Sequence, residues 1–185
     1  MTDFSSSTLK TDSSSIHLEI GYIGLGSNLD QPINQILSAI KLLENSKLIS
    51  LVKASPLYKS APMGPQDQND YINAVVKIET TLSPIDLLDY LQSIERDYGR
   101  VRNKEQWSAR TLDLDLLLYA DKQINQQRLT VPHYGIAERA FVLYPLFDVA
   151  KDLVFPNRTH IKKLVKDIEI TKPRIKKLSK EAHHQ

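Results

Sequence analysis

Between residues 110 and 119 apolar and acidic side chains alternate: Leu112, Leu114 and Leu116 fall at every second position, with Asp113 and Asp115 between them. Successive side chains of an extended strand point to opposite faces, so the spacing predicts the leucines on one face and both carboxylates on the other. From Leu116 the alternation gives way to a continuous apolar run, Leu116-Leu117-Leu118-Tyr119, which predicts a strand buried on both faces. The aspartates then stand at the open end of an interior strand.

The rest of the pattern supplies neighbours for that strand. Residues 16–25 predict a first strand, closed by the turn Gly24-Leu25-Gly26-Ser27-Asn28, and Ile33, Ile36, Leu37, Ile40 and Leu43 recur at helical spacing over 31–45 behind Pro32. Residues 47–59 and 71–78 predict two more strands around an irregular loop, Ala61 to Asp70, that is rich in turn residues. Ser83-Pro84-Ile85-Asp86 is a helix-start signal, Leu87, Leu88, Leu91 and Ile94 form its buried stripe, and Gly99 is its stop. Phe141–Phe147 is a core-like segment, and Ile161, Leu164, Val165 and Ile168 predict a last helix over 159–168. Strand, helix, strand, strand, helix, strand is the order of an α+β, ferredoxin-like βαββαβ sandwich. Both helices are expected on one face of an antiparallel sheet and the ligand site on the other, with C-terminal additions.

Composition narrows the class. A chain of 185 residues, 41% apolar and 25% charged, is ordinary for one well-buried domain. Residues 1–15, with six serines and three threonines, read as a disordered arm, residues 16–168 as a single folded domain and residues 169–185 as a basic tail. There is no cysteine, so thiolate metal sites and cysteine nucleophiles are excluded. With no apolar run of membrane length and no secretory-type leader, a cytoplasmic protein is the expectation. Residues 162–182 hold eight Lys/Arg against three Asp/Glu, so the overall net charge of +2 is set by the C-terminal segment and says little about what the domain binds.

Candidate chemistry clusters around the acidic strand. An Asp-x-Asp pair is most often solvated surface, but hard oxygen ligands at the mouth of an interior strand suit Mg²⁺, held by one or two carboxylates while substrate phosphates complete its octahedron. Arg100, Arg102, Lys104 and Arg110, with Trp107 among them, precede the pair directly, and guanidinium forks bind phosphate oxygens. Tyr71 and Asn73 share a strand face, an aromatic plate beside an amide, which suits a flat hydrogen-bonding heterocycle. Arg128, Thr130, His133, Tyr134 and Arg139 form a second polar cluster, a candidate nucleotide pocket.

From about Tyr22 to Phe155 the chain resembles the 6-hydroxymethyl-7,8-dihydropterin pyrophosphokinases of folate biosynthesis. Five blocks in order carry the resemblance: Gly26-Ser27-Asn28-Leu29; Gly64-Pro65-Gln66-Asp67-Gln68 with Tyr71 and Asn73; Gly99-Arg100-Val101-Arg102; Arg110-Thr111-Leu112-Asp113-Leu114-Asp115; and Val131-Pro132-His133-Tyr134. The resemblance implies transfer of the terminal pyrophosphoryl unit of ATP to the hydroxymethyl oxygen of a reduced pterin, releasing AMP. It implies Asp113 and Asp115 as ligands of two Mg²⁺ ions, and Arg100 and Arg110 as catalytic cations. It implies Tyr71 and Phe141 as plates around the pterin, with Asn73 on its edge and Ser60, Met63 and Trp107 completing the pocket. Gln92, Arg102, Leu116, Arg128, Thr130, His133, Tyr134 and Arg139 fall where the family contacts ATP. The chain departs from the family pattern at Gln106 and at Ser108-Ala109, where Gly-Pro often precedes the arginine.

The expected partners are therefore two small molecules, with neither nucleic acid nor membrane, and the chain is expected to act as a monomer. Two rivals share features of the pattern. An RNA-recognition module has the same topology, but its central strands carry stacking aromatics where this chain has Ala74-Val75-Val76-Lys77-Ile78, and two aspartates would repel a phosphate backbone. A two-metal nucleotidyltransferase has similar paired aspartates and differs in its products.

Overall fold

The computed structural model describes residues 17–63, 67–99, 110–171 and 174–179. The chain runs β1 (Glu19–Ser27), α1 (Pro32–Glu44), β2 (Ile49–Ala54), β3 (Tyr58–Ser60), β4 (Tyr71–Thr80), α2 (Pro84–Asp97), β5 (Asp113–Tyr119), β6 (Ile124–Asn125), β7 (Thr130–Val131), α3 (Ala140–Val149), α4 (Ile161–Glu169) and β8 (Ile175–Lys177). Both early helices start as the sequence signals. Pro32 opens α1, and at α2 the Ser83 hydroxyl accepts from the Asp86 amide at 3.2 Å, which satisfies one of the orphan donors of the first turn. Gly99 ends the α2 segment in the left-handed region, φ 76°, where a β-carbon is costly.

The main sheet has the order β5-β1-β4-β3-β8, with β2 also paired to β4, and every pairing is antiparallel. This is the ferredoxin-like arrangement, with β2 and β3 together taking the place of the single strand predicted over 47–59. They part at Ser55, whose hydroxyl accepts from the Val75 amide at 3.0 Å, just before Pro56, which has no ladder donor. Leu114, Leu116, Ile23, Val76 and Ile78 pack under Ile36, Leu43, Leu87 and Leu91 of α1 and α2. On the opposite face Tyr22, Val75, Leu117 and Leu118 pack with Leu143 and Leu146 of α3 and Ile161 and Val165 of α4. Helices on one face therefore describes α1 and α2 alone, because α3 and α4 cover part of the other face. The apolar run of β5 reaches both cores through a register shift opposite Tyr22 and Ile23, which turns Leu117 and Leu118 to the same side.

Two further features differ from the sequence pattern. β1 continues through Ser27, so Gly24 and Gly26 lie inside the central strand and not in a turn. Within the basic C-terminal stretch, Ile175–Lys177 adds β8 to β3, with Leu178 N–H donating to Leu57 C=O at 2.8 Å and Lys177 Nζ to Asp148 at 2.7 Å. Lysines are well tolerated on such an edge, where one side of the strand faces water. Among the described residues no helix is long and apolar enough to cross a membrane.

Candidate active site

The uncovered part of the second face lies where three strand ends meet. Gly26 of β1 pairs with Asn73 of β4 on one side and Asp113 of β5 on the other, and Gly24 pairs with Val75 and Asp115. Cross-strand partners share a face, so the side chains flank a glycine strip on the central strand. A cavity of about 240 Å³ opens above it. A β-carbon on Gly26 would lie 3.7 Å from Asn73 Oδ1 and 3.9 Å from Asp113 Cβ, so the floor is a space held open between the amide and the carboxylate.

Five residues of the expected pterin set, Ser60, Met63, Tyr71, Asn73 and Phe141, line this cavity. Asn73, only 5% exposed, donates to Ser60 Oγ at 3.0 Å, which fixes the orientation of its amide. Tyr71 comes from β4 and Phe141 from α3, so the two rings reach the cavity from separate elements. Asp113, Asp115 and Arg110 line it too, as do His133, Tyr134 and Arg139. The structure does not bring every expected ATP residue there. Leu116 is buried in the core under α1 and α2, on the opposite face from the aspartates, as the strand alternation requires. Gln92 is half-buried on α2, and Arg128 forms an ion pair with Asp89 one turn earlier on that helix. Thr130 is exposed on β7. Arg100, Arg102 and Trp107, with Gln106 and Ser108-Ala109, lie outside the described residues.

Charge within the cleft is already balanced in part. Arg110 forms an ion pair with Asp113. Burial disfavours the guanidinium, yet the adjacent Asp113 carboxylate outweighs it and holds the Arg110 pKa above its ordinary value. Burial likewise raises the Tyr71 hydroxyl. His133 is pushed down to about 4 by burial and by the Arg139 cation, against the pull of Asp113. It is therefore neutral at pH 7, and because its Nδ1 accepts from the Gly135 amide at 3.2 Å the proton sits on Nε2.

Asn28 and Gln68, which fall within the blocks of resemblance but are given no site role by it, hold the cleft together. Asn28, 1% exposed, accepts from the Arg110 amide through Oδ1 at 2.8 Å and donates its own amide N–H to the Arg110 carbonyl at 3.1 Å. Its Nδ2 reaches Gln68 Oε1 at 3.4 Å, which also accepts from the Tyr71 hydroxyl at 3.2 Å. A polar side chain in a strand-to-helix turn is an ordinary sequence feature, so only the fold reveals that this one joins Tyr71 to Arg110.

The donor set fits a hard divalent cation. Asp113 and Asp115 offer only carboxylate oxygens, and among the described residues no group of three or more His, Cys, Asp or Glu side chains forms a self-sufficient metal cage. Mg²⁺ is typically held by one or two such carboxylates and leaves most of its octahedron to water and phosphate oxygens.

Comparison with known proteins gives the family of the chain. The model of the family described as 7,8-dihydro-6-hydroxymethylpterin-pyrophosphokinase (HPPK) matches residues 22–151. The chain belongs to the HPPK family. Among its relatives, the 2-amino-4-hydroxy-6-hydroxymethyldihydropteridine pyrophosphokinase of Haemophilus influenzae is 54% identical over 78% of this chain and 90% of its own length. The enzyme of the same name from Pseudomonas aeruginosa is 49% identical over 78% of this chain and 88% of its own. Among solved structures, the Plasmodium falciparum HPPK-DHPS with pteroate superposes with a TM-score of 0.67 at 14% identity, over 82% of this chain. The chain spans 42% of the length of that larger protein, and the likeness carries the HPPK fold. The matched region contains every expected site residue, from Ser60 to Phe141.

Proposed function

We propose that the chain transfers the pyrophosphoryl group of ATP to the hydroxymethyl oxygen of 6-hydroxymethyl-7,8-dihydropterin, a step of folate synthesis. The observation that carries the reading is the glycine-floored cleft, with an aromatic and amide pocket on one side and a carboxylate pair with arginine on the other. In this reading Tyr71 and Phe141 stack on the pterin and Asn73, held by Ser60, pairs with its polar edge, while Met63 closes the pocket. The pterin hydroxyl oxygen forms a bond to the β-phosphorus, the α–β bridging bond breaks with its electron pair leaving on AMP, and the hydroxyl proton passes to solvent.

Asp113 and Asp115 would hold Mg²⁺, whose contribution is to neutralise the triphosphate and polarise the phosphorus under attack. Arg110 would follow the charge of the moving phosphoryl groups, with Arg100 assigned to the same task and Arg102 to ATP binding from outside the described residues. Arg139, Tyr134 and neutral His133 take the nucleotide's phosphate side. Gln92, Arg128, Thr130 and the backbone at Leu116 are assigned to the remainder of ATP along the α2 edge of β5, beyond the cavity. The assigned groups lie within residues 16–168, and action as a monomer in the cytoplasm is part of the same proposal.

The test is product analysis after incubation with ATP, Mg²⁺ and the reduced pterin. AMP and pterin diphosphate in equal amounts are expected. Release of free pyrophosphate with a nucleotidylated pterin would favour the nucleotidyltransferase reading, and ADP would contradict both.

A further inference from the structure

Arg139 reaches the cleft across the backbone of a glycine. A β-carbon built on Gly135 would collide with Arg139 Nε and would lie 2.6 Å from its Cζ and 2.8 Å from its Cδ, so the guanidinium fills the volume that any other side chain would take. From that seat Arg139 Nη2 donates to the Tyr134 hydroxyl at 3.2 Å and Cζ stands 5.0 Å from the centre of the Tyr134 ring. The ring itself is 73% exposed, so the stacked guanidinium braces a side chain that the fold otherwise leaves in water. The amide of the same glycine donates to His133 Nδ1, and the His133 and Tyr134 rings stand 4.4 Å apart. Three cleft-lining side chains thus meet at one buried residue that has none.

We propose that Gly135 is a positioning residue: its missing side chain seats the Arg139 guanidinium against Tyr134, and its amide fixes the His133 tautomer, so that all three present to the nucleotide together. The inference rests on the reading of this side of the cleft as the ATP site. Among the described glycines only Gly99 has a positive φ, so the demand at Gly135 is for space and not for a backbone conformation. The crowded atoms belong to the far part of a flexible side chain, not to backbone. Alanine there should therefore leave the fold alone and move the arginine.

The experiment compares wild type, Gly135→Ala, Arg139→Ala and the double variant, with melting temperature and calorimetric binding of a non-hydrolysable ATP analogue in Mg²⁺ as readouts. Gly135→Ala is expected to melt with wild type yet bind the analogue about tenfold more weakly, the effect of losing one charge-assisted contact. It should cost almost nothing further once Arg139 is alanine, since coupled residues give non-additive losses. Wild-type affinity in Gly135→Ala beside weakened binding in Arg139→Ala would overturn the proposal, and so would equal losses in both backgrounds. Misfolding of Gly135→Ala that persists in the double variant would overturn it as well, because something other than Arg139 would then fill the space. Wild-type affinity in Arg139→Ala would overturn the ATP assignment itself, and the inference with it.

Discussion

At Asp115 the alternation of β5 sets a carboxylate beside that of Asp113 on the face away from the leucine core, and Gly24 opposite it contributes no side chain to cover it. The two like charges repel each other, and the Arg110–Asp113 ion pair offsets part of that repulsion. Asp115→Ala is accordingly expected to abolish turnover while melting at or above the wild-type temperature, and full activity at saturating Mg²⁺ would remove Asp115 from the metal site. His133 gives a second expectation, in pH. Its pKa falls from 6.5 in the unfolded chain to about 4 in the fold, so between those values the unfolded chain binds a proton that the folded one refuses. Stability should fall as pH drops from about 6.5 toward 4, by at most about 3 kcal/mol, and stay level above that window. Urea midpoints across pH 4–8 for wild type and His133→Gln check it; the same pH slope in both proteins would contradict it. The placement of Asp113 with Asp115, and of Tyr71 with Asn73, on one strand face each was legible in the sequence, because it follows from the strand's own periodicity. Asn28 and Gly135 were not, because their roles lie in contacts that the fold creates: one spans eighty-two residues to Arg110 and the other is a space that Arg139 occupies.

Elements were legible wherever local pattern and local signals agree, as at Ser83 and Pro84 of α2. The core-like run around Phe141 resolves into α3 only with the sheet beneath it, since an apolar segment carrying Pro145 shows neither clean helical nor clean strand spacing. β8 was hidden for a related reason: three residues with two lysines have no periodicity, and β3 supplies the partner that makes them a strand. Truncation after Thr171 would remove that pairing, the Leu178–Leu57 bond and the Lys177–Asp148 pair. It is expected to lower the melting temperature by several degrees, at about 2–4 °C per kcal/mol for a chain of this size. An unchanged melting temperature would show that β8 adds nothing to the sheet. Because β3 carries Ser60, which orients Asn73, pterin affinity should also weaken in the truncated chain.

For the whole molecule, the antiparallel sheet divides labour between its faces. α1 and α2 cover the core of one face, α3 and α4 cover the far part of the other, and the cleft is what remains at the ends of β1, β4 and β5. Phe141 reaches the cleft only because α3 folds back over the sheet, so its partnership with Tyr71 tests the tertiary arrangement as well as the pocket. Phe141→Ala is expected to weaken pterin binding by about 1–3 kcal/mol, as for other aromatic stacking on heterocycles, with little change for ATP. Calorimetry with pterin in the presence of a non-hydrolysable ATP analogue checks this, and unchanged pterin affinity would put the ring elsewhere. The central claim is that a pyrophosphoryl unit moves intact, and the most direct measurement follows the phosphorus. With ATP labelled at the β-phosphorus, Mg²⁺ and the reduced pterin, all of the transferred label should appear in the pterin diphosphate, and the AMP should carry none. Label in ADP or in free pyrophosphate, with the pterin product bearing the α-phosphorus or a single phosphate, would contradict the account.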